Sequence, residues 1–582
     1  MQMQQSFKYK INSLIDILAI QAEINPHKTA FRILNNSEET ETITYRRLHK
    51  RATQLASYFK ERKLAGERAL LLYSSSIEYI ESFFGCLYAE VISIPLFPSP
   101  SKNSQSAERI ESIIRDAQPK IRLENSRSTN RDSESKLSEV ESIKTDLLSL
   151  HDNNDWKKPE LSGSSPAYLQ YTSGSTSTPK GVVVTHENLL HNLELLKNFY
   201  DLNEDSVIAS WLPFHHDMGL IGIVLQTVFL GASCIIMPPG DFIQKPIRWL
   251  QAISKYKATY SGAPNFAYDL CVKKTKTKQL ESLDLRSWKV AFNGSEPVRF
   301  ATIEQFSSKF SSAEFNIGSF YPSYGLAENT LVVTAKKTSI IPRAVKLDTK
   351  EMQEQKVSLS LSQGLDAKWV VSCGQLPEAQ EVIIVNPESY RKCHVDEIGE
   401  IWIKGKSVAD GYWKKENLTT NKFNAYLSDS MDGPYLRTGD LGFIFHNELY
   451  ISGRLDDLII LQGQNYYPQD IEYTVEDSHS LINNEKVAAF KIVKDGKEGV
   501  VIAAELDRKF RHTKNIQNNQ ETRDVNELKK IVKTNIVRKY QIHVHEIVFL
   551  FPGGIPVTTS NKIQRKKSKE QYLNKQLRLW GR

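Results

Sequence analysis

Cysteine is sparse in this chain of 582 residues, and the five that occur are too scattered to make a framework. Cys86, Cys234, Cys271, Cys373 and Cys393 form no C-x-x-C pair and no Cys/His zinc spacing, which argues against a disulfide scaffold and a structural zinc site. A reducing cytoplasm is therefore the expected compartment. The opening MQMQQSFKYKINSLIDILAI has an apolar patch, but Asp16 interrupts it and no small-residue cleavage site follows, so it does not read as a signal peptide. Long uncharged runs are lacking too. Residues 220–237, LIGIVLQTVFLGASCIIM, reach only the lower edge of the roughly 17–25 residues a spanning helix needs. Gln226 sits inside the run, Gly231 would break a helix and Pro238-Pro239-Gly240 ends it, so a buried helix, a glycine turn and a core strand CIIM are expected, with no integral membrane segment. A strong charge bias is also missing: Lys and Arg less Asp and Glu is 75 − 68 = +7, dispersed apart from a basic C-terminal tail. Such an excess suits anions in general without selecting nucleic acid.

What is present is ordinary globular composition, 40% hydrophobic and 25% charged, over about four times the ~150 residues of a typical domain. Residues 11–90 alternate helical patterns with short buried runs such as RALLLY, the rhythm of βα units on a largely parallel sheet. Residues 99–165 turn polar, and chemistry is not expected there. Apolar strands return at 167–171, 209–212, 233–237 and 290–293. After Glu328, VVSCG, EVIIV, GEIWIKG and TGDLGFIFHNELYISGR read as short strands of a small β-rich module. Beyond Arg454 lies an independent α+β region of about 125 residues.

The strongest chemical signal is YTSGSTSTPKG, residues 171–181, between the strand pattern AYLQY and the helix pattern HENLLHNLELL. Gly174 permits close backbone approach, the hydroxyls of Thr172, Ser173, Ser175, Thr176, Ser177 and Thr178 can donate to phosphate oxygens, and Lys180 adds a cation. The loop imitates a P-loop, but Pro179 occupies the second glycine position and Gly181 replaces the hydroxyl residue that would hold magnesium. A kinase or ATPase of the P-loop type thereby loses weight.

YTSGSTSTPKG resembles the phosphate-loop signature of the adenylate-forming superfamily of acyl-CoA synthetases, nonribosomal adenylation domains and luciferases. Six further family motifs follow in order: FNGSEP (292–297), YGLAE (324–328), GEIWIKG (399–405), YLRTGDLG (435–442), GRLDD (453–457) and TTSNKIQR (558–565). LPFHHDMGLIG, SGAPNFAYDLC, VAFNGSEPV, YGLAENTL and GQNYYPQDIE are similar to the fatty acyl-AMP ligases within it. The resemblance implies an α/β fold: an N-terminal part over 1–455 made of two α/β subdomains and a small β-barrel, and a hinged, mobile α+β C-terminal domain over 456–582 carrying the catalytic lysine.

It also implies roles. ATP's α-phosphate is attacked by a fatty acid carboxylate and pyrophosphate leaves, so the site must offset charge and align the attack. By resemblance the 171–181 loop, including Thr172, Ser173, Gly174, Ser175, Thr176 and Lys180, holds the β- and γ-phosphates, and Glu328 ligates Mg2+. Tyr324 stacks on adenine beside Asn293, Gly294, Ser295, Glu296 and Pro297, with Gly325, Leu326 and Ala327 adjoining the nucleotide. Asp440 accepts from the ribose hydroxyls, and Arg454 helps fix ribose or phosphate. Lys562 is the catalytic lysine, Asp456 the hinge residue, and His216 lies near the acyl carboxylate. His215 and His216 have no third ligand nearby and read as pocket-mouth residues rather than a metal site. Met218 and Ile221 line either the acyl tunnel or ordinary core. Ser177 and Asn561 stand where the family has glycine, and Ala327 where threonine is more widespread.

The acceptor stays open at this level. Residues 332–369 resemble the insertion that marks acyl-AMP ligases, which implies restraint of the C-terminal domain and transfer to a phosphopantetheinyl carrier protein or synthetase module. A fatty acyl-CoA synthetase using free coenzyme A is the alternative.

Overall fold

The computed structural model describes residues 11–97, 105–127, 136–150, 156–172, 179–337, 340–362, 364, 366–507, 518–558 and 562–580. Ser173, Gly174, Ser175, Thr176, Ser177, Thr178 and Asn561 lie outside the described residues.

Two sheets carry the N-terminal part. A six-stranded sheet runs Glu141–Lys144, Ile121–Glu124, Arg68–Leu72, Ile92–Leu96, Pro166–Thr172 and Lys180–Thr185, parallel except for its last pair. Helix Tyr45–Glu61 packs beside it because Leu48, Ala52, Leu55, Ala56 and Phe59 recur on one face, and Thr44 caps it by accepting from the Arg47 N–H. It meets helix Ile77–Tyr88 so closely that a Cβ on Gly85 would stand 2.7 Å from Leu55 Cβ. The polar 99–165 region contributes two of the strands and the helix Gln105–Ala117.

A second sheet has a parallel centre, Thr29–Asn35, Ser233–Ile236, Val207–Ser210, Tyr260–Ala263, Val290–Asn293 and Phe320–Gly325. The uncharged run 220–237 behaves as its sequence suggests: helical turns over Leu220–Leu225 and Gln226–Leu230, a left-handed Gly231 at φ 70°, and the strand Ser233–Ile236. Among the described residues no helix is long and apolar enough to cross a membrane. The sheet continues into antiparallel strands Val332–Ala335, Ala367–Gln375, Glu448–Arg454, Leu436–Phe445, Gly399–Gly405 and Gln380–Val385, so the β-rich module is hydrogen-bonded to the parallel centre. Its hairpin turns at His446-Asn447, both left-handed at φ 49° and 60°.

The last region forms a three-stranded sheet, Ile482–Lys494, Lys497–Leu506 and Val544–Leu550, with helices Pro468–Ser478 and Asn518–Tyr540. It has a hydrophobic cluster of its own, from Ile459 through Val500 and Ile536 to Trp580. Polar contacts tie it to the rest: Lys368 Nζ reaches Asp470 at 2.6 Å, Asn465 donates to the Gln353 carbonyl at 3.0 Å, and Gln469 donates to the Ser452 carbonyl at 2.8 Å.

Candidate active site

The chemistry-bearing motifs follow the carboxyl ends of parallel strands, where open α/β sheets bind ligands. FNGSEP continues strand Val290–Asn293, and YGLAE spans the end of Phe320–Gly325. The phosphate loop differs from the strand–loop–helix expectation. It joins two antiparallel strands, with Thr172 opposite Lys180, and the helix His186–Tyr200 starts only after the second. The helix that would follow a P-loop directly is here separated from it by the strand Lys180–Thr185.

A connected cavity of about 1100 Å3 runs from these loops into the body and is closed on one side by the C-terminal region. At its polar end Asp440 is held from both sides, by the Tyr324 hydroxyl at 2.8 Å on Oδ2 and Arg454 Nε at 2.9 Å on Oδ1. Burial, then the Asp440 charge, pushes the Tyr324 phenol far up, and Asp440 first of all raises the Arg454 pKa. Gly294, Ser295, Glu296 and Pro297 form the adjoining wall, where Ser295 adopts φ 72° and a Cβ on Gly294 would stand 2.9 Å from the Ser323 carbonyl. Glu328 lines the cavity and accepts from the Tyr412 hydroxyl at 2.8 Å through Oε1, while Lys180 lies 5.4 Å from the Tyr412 ring centre. Oε2 of Glu328 has no protein hydrogen-bond partner among the described residues, leaving a hard oxygen of the kind a divalent cation takes.

Lys562, His216, Asp217 and Arg109 also line the cavity, close enough for the Lys562 charge to act on both His216 and Asp217 and the Arg109 charge on His216. Lys562 extends into the water-accessible cavity but is ringed by protein. Burial lowers its pKa, opposed by Asp217, Glu296 and Asp440. Burial, reinforced by the Lys562 and Arg109 cations, pushes His216 down to about 3, so its ring is neutral at working pH. Asp217 is raised by burial. Arg109 donates to the Tyr171 carbonyl at 3.0 Å from helix Gln105–Ala117. This corrects the expectation that the polar 99–165 region carries no site residue. Nothing in its local pattern marks Arg109; only the tertiary fold brings it in.

The other end is apolar: Leu196, Tyr200, Gly222, Tyr260, Phe292, Leu331 and Val332, with Met218 at the approach. Tyr200, Tyr260 and Phe292 pack ring against ring, with centroids 5.2 to 6.3 Å apart. Of the sequence candidates, Thr172, His216, Met218, Gly294 to Pro297, Tyr324 to Glu328, Asp440, Arg454 and Lys562 line this cavity. His215, Ile221, Asn293, Lys180 and Asp456 are not among its lining residues. His215 is half-buried with its ring 4.5 Å from that of the lining His216, while Ile221 and Asn293 are fully buried. Asp456 pairs with Lys566 at 3.1 Å beside Arg565, which binds Asp457 and Glu472 at 2.7 Å each. Among the described residues no cluster of three metal-ligating side chains occurs.

The sequence profile described as AMP-binding enzyme matches residues 18–413, and one described as Disco-interacting protein 2-like, AMP domain, matches 456–581. The chain is 38% identical to the medium-chain-fatty-acid–[acyl-carrier-protein] ligase JamA of Moorena producens, over 98% of this chain and 97% of that one. It is 34% identical to the 4-hydroxyphenylalkanoate adenylyltransferase of Mycobacterium tuberculosis, covering 98% and 93%. The fold is shared with a fatty acyl-adenylate ligase of Legionella pneumophila, solved in complex with acyl adenylate and pyrophosphate. That chain is 36% identical, with a TM-score of 0.76 and coverage of 98% and 97%.

Proposed function

The chain belongs to the AMP-binding enzyme family, among its fatty acyl-AMP ligases. From that premise we propose that it activates a fatty acid with ATP to an acyl-adenylate, releasing pyrophosphate, and passes the acyl group to the phosphopantetheine thiol of a carrier protein. The observation that carries this reading is the shared cavity: a carboxylate held by Tyr324 and Arg454, a lone accessible Glu328 oxygen and an apolar end meet around Lys562.

A carboxylate oxygen of the acid attacks the α-phosphorus, and the bond to the pyrophosphate oxygen breaks. Both reactants are anions, so the residues must offset charge and hold the line of attack. With His216 neutral, Lys562 and Arg109 are the cations at the junction, and Lys562 bridges the acid carboxylate and the α-phosphate as charge moves. The neutral His216 ring offers hydrogen bonding to the acid without adding charge. Asp440 takes the ribose hydroxyls, Tyr324 the adenine face, and Thr172 to Thr176 with Lys180 the outer phosphates. Glu328 would hold Mg2+, which supplies charge neutralisation on the leaving pyrophosphate; a single protein carboxylate suits an ion that keeps water and phosphate ligands. In the second step the thiolate attacks the acyl carbonyl and AMP leaves, with rotation at Asp456 opening the way.

Preference for a carrier protein is supported by the contacts of the 332–369 segment. The Gln353 carbonyl and Lys368 anchor the C-terminal region through Asn465 and Asp470. The similarity to the acyl-carrier-protein ligase of Moorena producens points the same way. We place the enzyme in the cytoplasm, where ATP is available. Incubation with ATP, magnesium and a ladder of fatty acids, with and without coenzyme A and holo-carrier, tests the proposal. Acyl-AMP and acyl-carrier are the expected products, and acyl-CoA as the main product would favour a coenzyme A ligase.

A further inference from the structure

Two residues after Glu328 the backbone makes a turn that threonine rarely makes. Thr330 sits at φ 65° and ψ −65°, and the Leu331 N–H donates to the Asn329 carbonyl at 2.7 Å. These close a γ-turn of the rare, strained hand, and the residue at its apex is β-branched. Such a conformation persists only where its surroundings over-determine it, and it clusters at functional sites.

The surroundings here are a buried polar brace. Thr330 Oγ1 donates to the Ser407 carbonyl at 2.7 Å. Asn192, on helix His186–Tyr200, places Nδ2 3.2 Å from the Asn329 carbonyl, 3.0 Å from the Val332 carbonyl and 3.0 Å from Ser407 Oγ, while its Oδ1 accepts from the Val332 N–H at 3.1 Å. Asn192, Asn329, Thr330 and Ser407 are all 0% exposed, so each bond holds without competition from water. None of these four side chains lines the cavity.

The turn separates the two ends of the cavity. On one side is Glu328, whose carbonyl accepts from the Ala409 N–H at 2.9 Å. On the other are Leu331 and Val332 of the apolar end; Leu331 packs on Gly222 so closely that a Cβ there would stand 3.3 Å from Leu331 Cδ2. The Leu331 carbonyl also accepts from the Leu326 N–H at 3.0 Å, closing the loop around the YGLAE segment.

We propose that Asn192 and Thr330 are positioning residues: they hold a strained γ-turn that fixes the Glu328 carboxylate and the Leu331 wall of the acyl end as one unit. Metal-nucleotide binding and acyl-chain selectivity are then set by the same brace. The inference rests on the functional reading above for the assignment of the two ends.

Thr330→Gly relaxes the turn and removes the hydroxyl bond, and Thr330→Ser keeps the hydroxyl. Asn192→Ala strips the brace; should it fail to fold, Thr330→Gly remains the smaller perturbation. Two readouts are taken: the ratio of kcat/KM for the preferred acid to that for an acid four carbons shorter, and the calorimetric Kd of magnesium-ATP without acid. Loss of folded protein moves neither, because it cancels in the ratio and appears as stoichiometry in the titration. The expected result for Thr330→Gly is a fall of about fivefold or more in the ratio together with a similar weakening of the Kd, as small misplacements in a site cost at least this much. Thr330→Ser should stay within about twofold of the parent on both. An unchanged ratio or an unchanged Kd in Thr330→Gly, with an active parent, overturns the coupling alone. A parent chain that makes no acyl-adenylate overturns the functional reading with it.

Discussion

Tyr324 donates its hydroxyl hydrogen to Asp440 Oδ2 across 2.8 Å, although 116 residues separate them in the chain. The bond joins the YGLAE segment to the TGD turn, and Arg454 on the other oxygen completes a fixed carboxylate. Tyr324→Phe keeps the ring and removes this bond. A hydrogen bond to a charged group is worth about 1.5 kcal/mol or more, roughly tenfold in affinity. Steady-state kinetics should show KM for ATP up by about tenfold and KM for the fatty acid nearly unchanged.

In the proposed mechanism Lys562, with Arg109, is a cation at the junction of the two substrates. Lys562→Ala should leave ATP binding by calorimetry nearly intact and lower acyl-adenylate formation by about 100-fold or more, the scale for losing a preorganised charge-stabilising group. Pyrophosphate exchange at the parent rate in that variant refutes the role.

The same lysine sets a pH limb. Burial lowers its pKa below the ordinary lysine value, and its work needs the charged form, so activity is lost as pH rises through that lowered pKa. The pH profile of kcat should bend downward on the alkaline side before an ordinary lysine would titrate. His216, pushed down to about 3, should contribute no limb between pH 5 and 8.

A buried acidic group lies between the two parts of the chain: Glu476 and Glu485 from the C-terminal region face Arg299, Glu296 and Asp269, with Glu472 and Lys486 nearby. Arg299 is 3.6 Å from Glu476. Burial raises Glu476 to about 7 and raises Glu485 as well, so the packed arrangement holds protons that the separated one releases. Its stability is therefore full below the ordinary glutamate pKa and declines as pH rises from there towards about 7. Energy transfer between dyes on the two parts should report less of the packed arrangement at pH 8 than at pH 5, and Glu476→Gln should flatten the change.

Lys368 and Asp470 pair at 2.6 Å between the 332–369 segment and helix Pro468–Ser478. Deletion of residues 349–365, or Lys368→Ser in combination with Asn465→Ala, should raise acyl-CoA formation from free coenzyme A while acyl-adenylate formation persists. No gain in either variant, with adenylation intact, removes the segment from acceptor choice.

Much of the fold is legible where a local rule governs. The turn at Gly231, the strand Val290–Asn293 and the helix Pro468–Ser478 each follow from glycine conformation, a short apolar run or a proline start. The order of motifs also brings Tyr324, Glu328, Asp440 and Lys562 to one cavity. What was not legible depends on contacts distant in sequence. Arg109 sits on an unremarkable amphipathic helix, Tyr412 on an isolated bridge to Val182 with no motif of its own, and Asn192 reads as one more polar residue on a helix until Val332 closes on it. The antiparallel pairing of Thr172 with Lys180 is not legible because a short strand, Lys180–Thr185, reads equally as the lead into the following helix.

The most direct measurement is product analysis with labelled ATP and a fatty acid in the absence of any acceptor. An acyl-adenylating enzyme forms AMP-linked acid and pyrophosphate in equal amounts, and Lys562→Ala forms both about 100-fold or more slowly. Release of ADP and phosphate, or acid-independent hydrolysis of ATP, would contradict it.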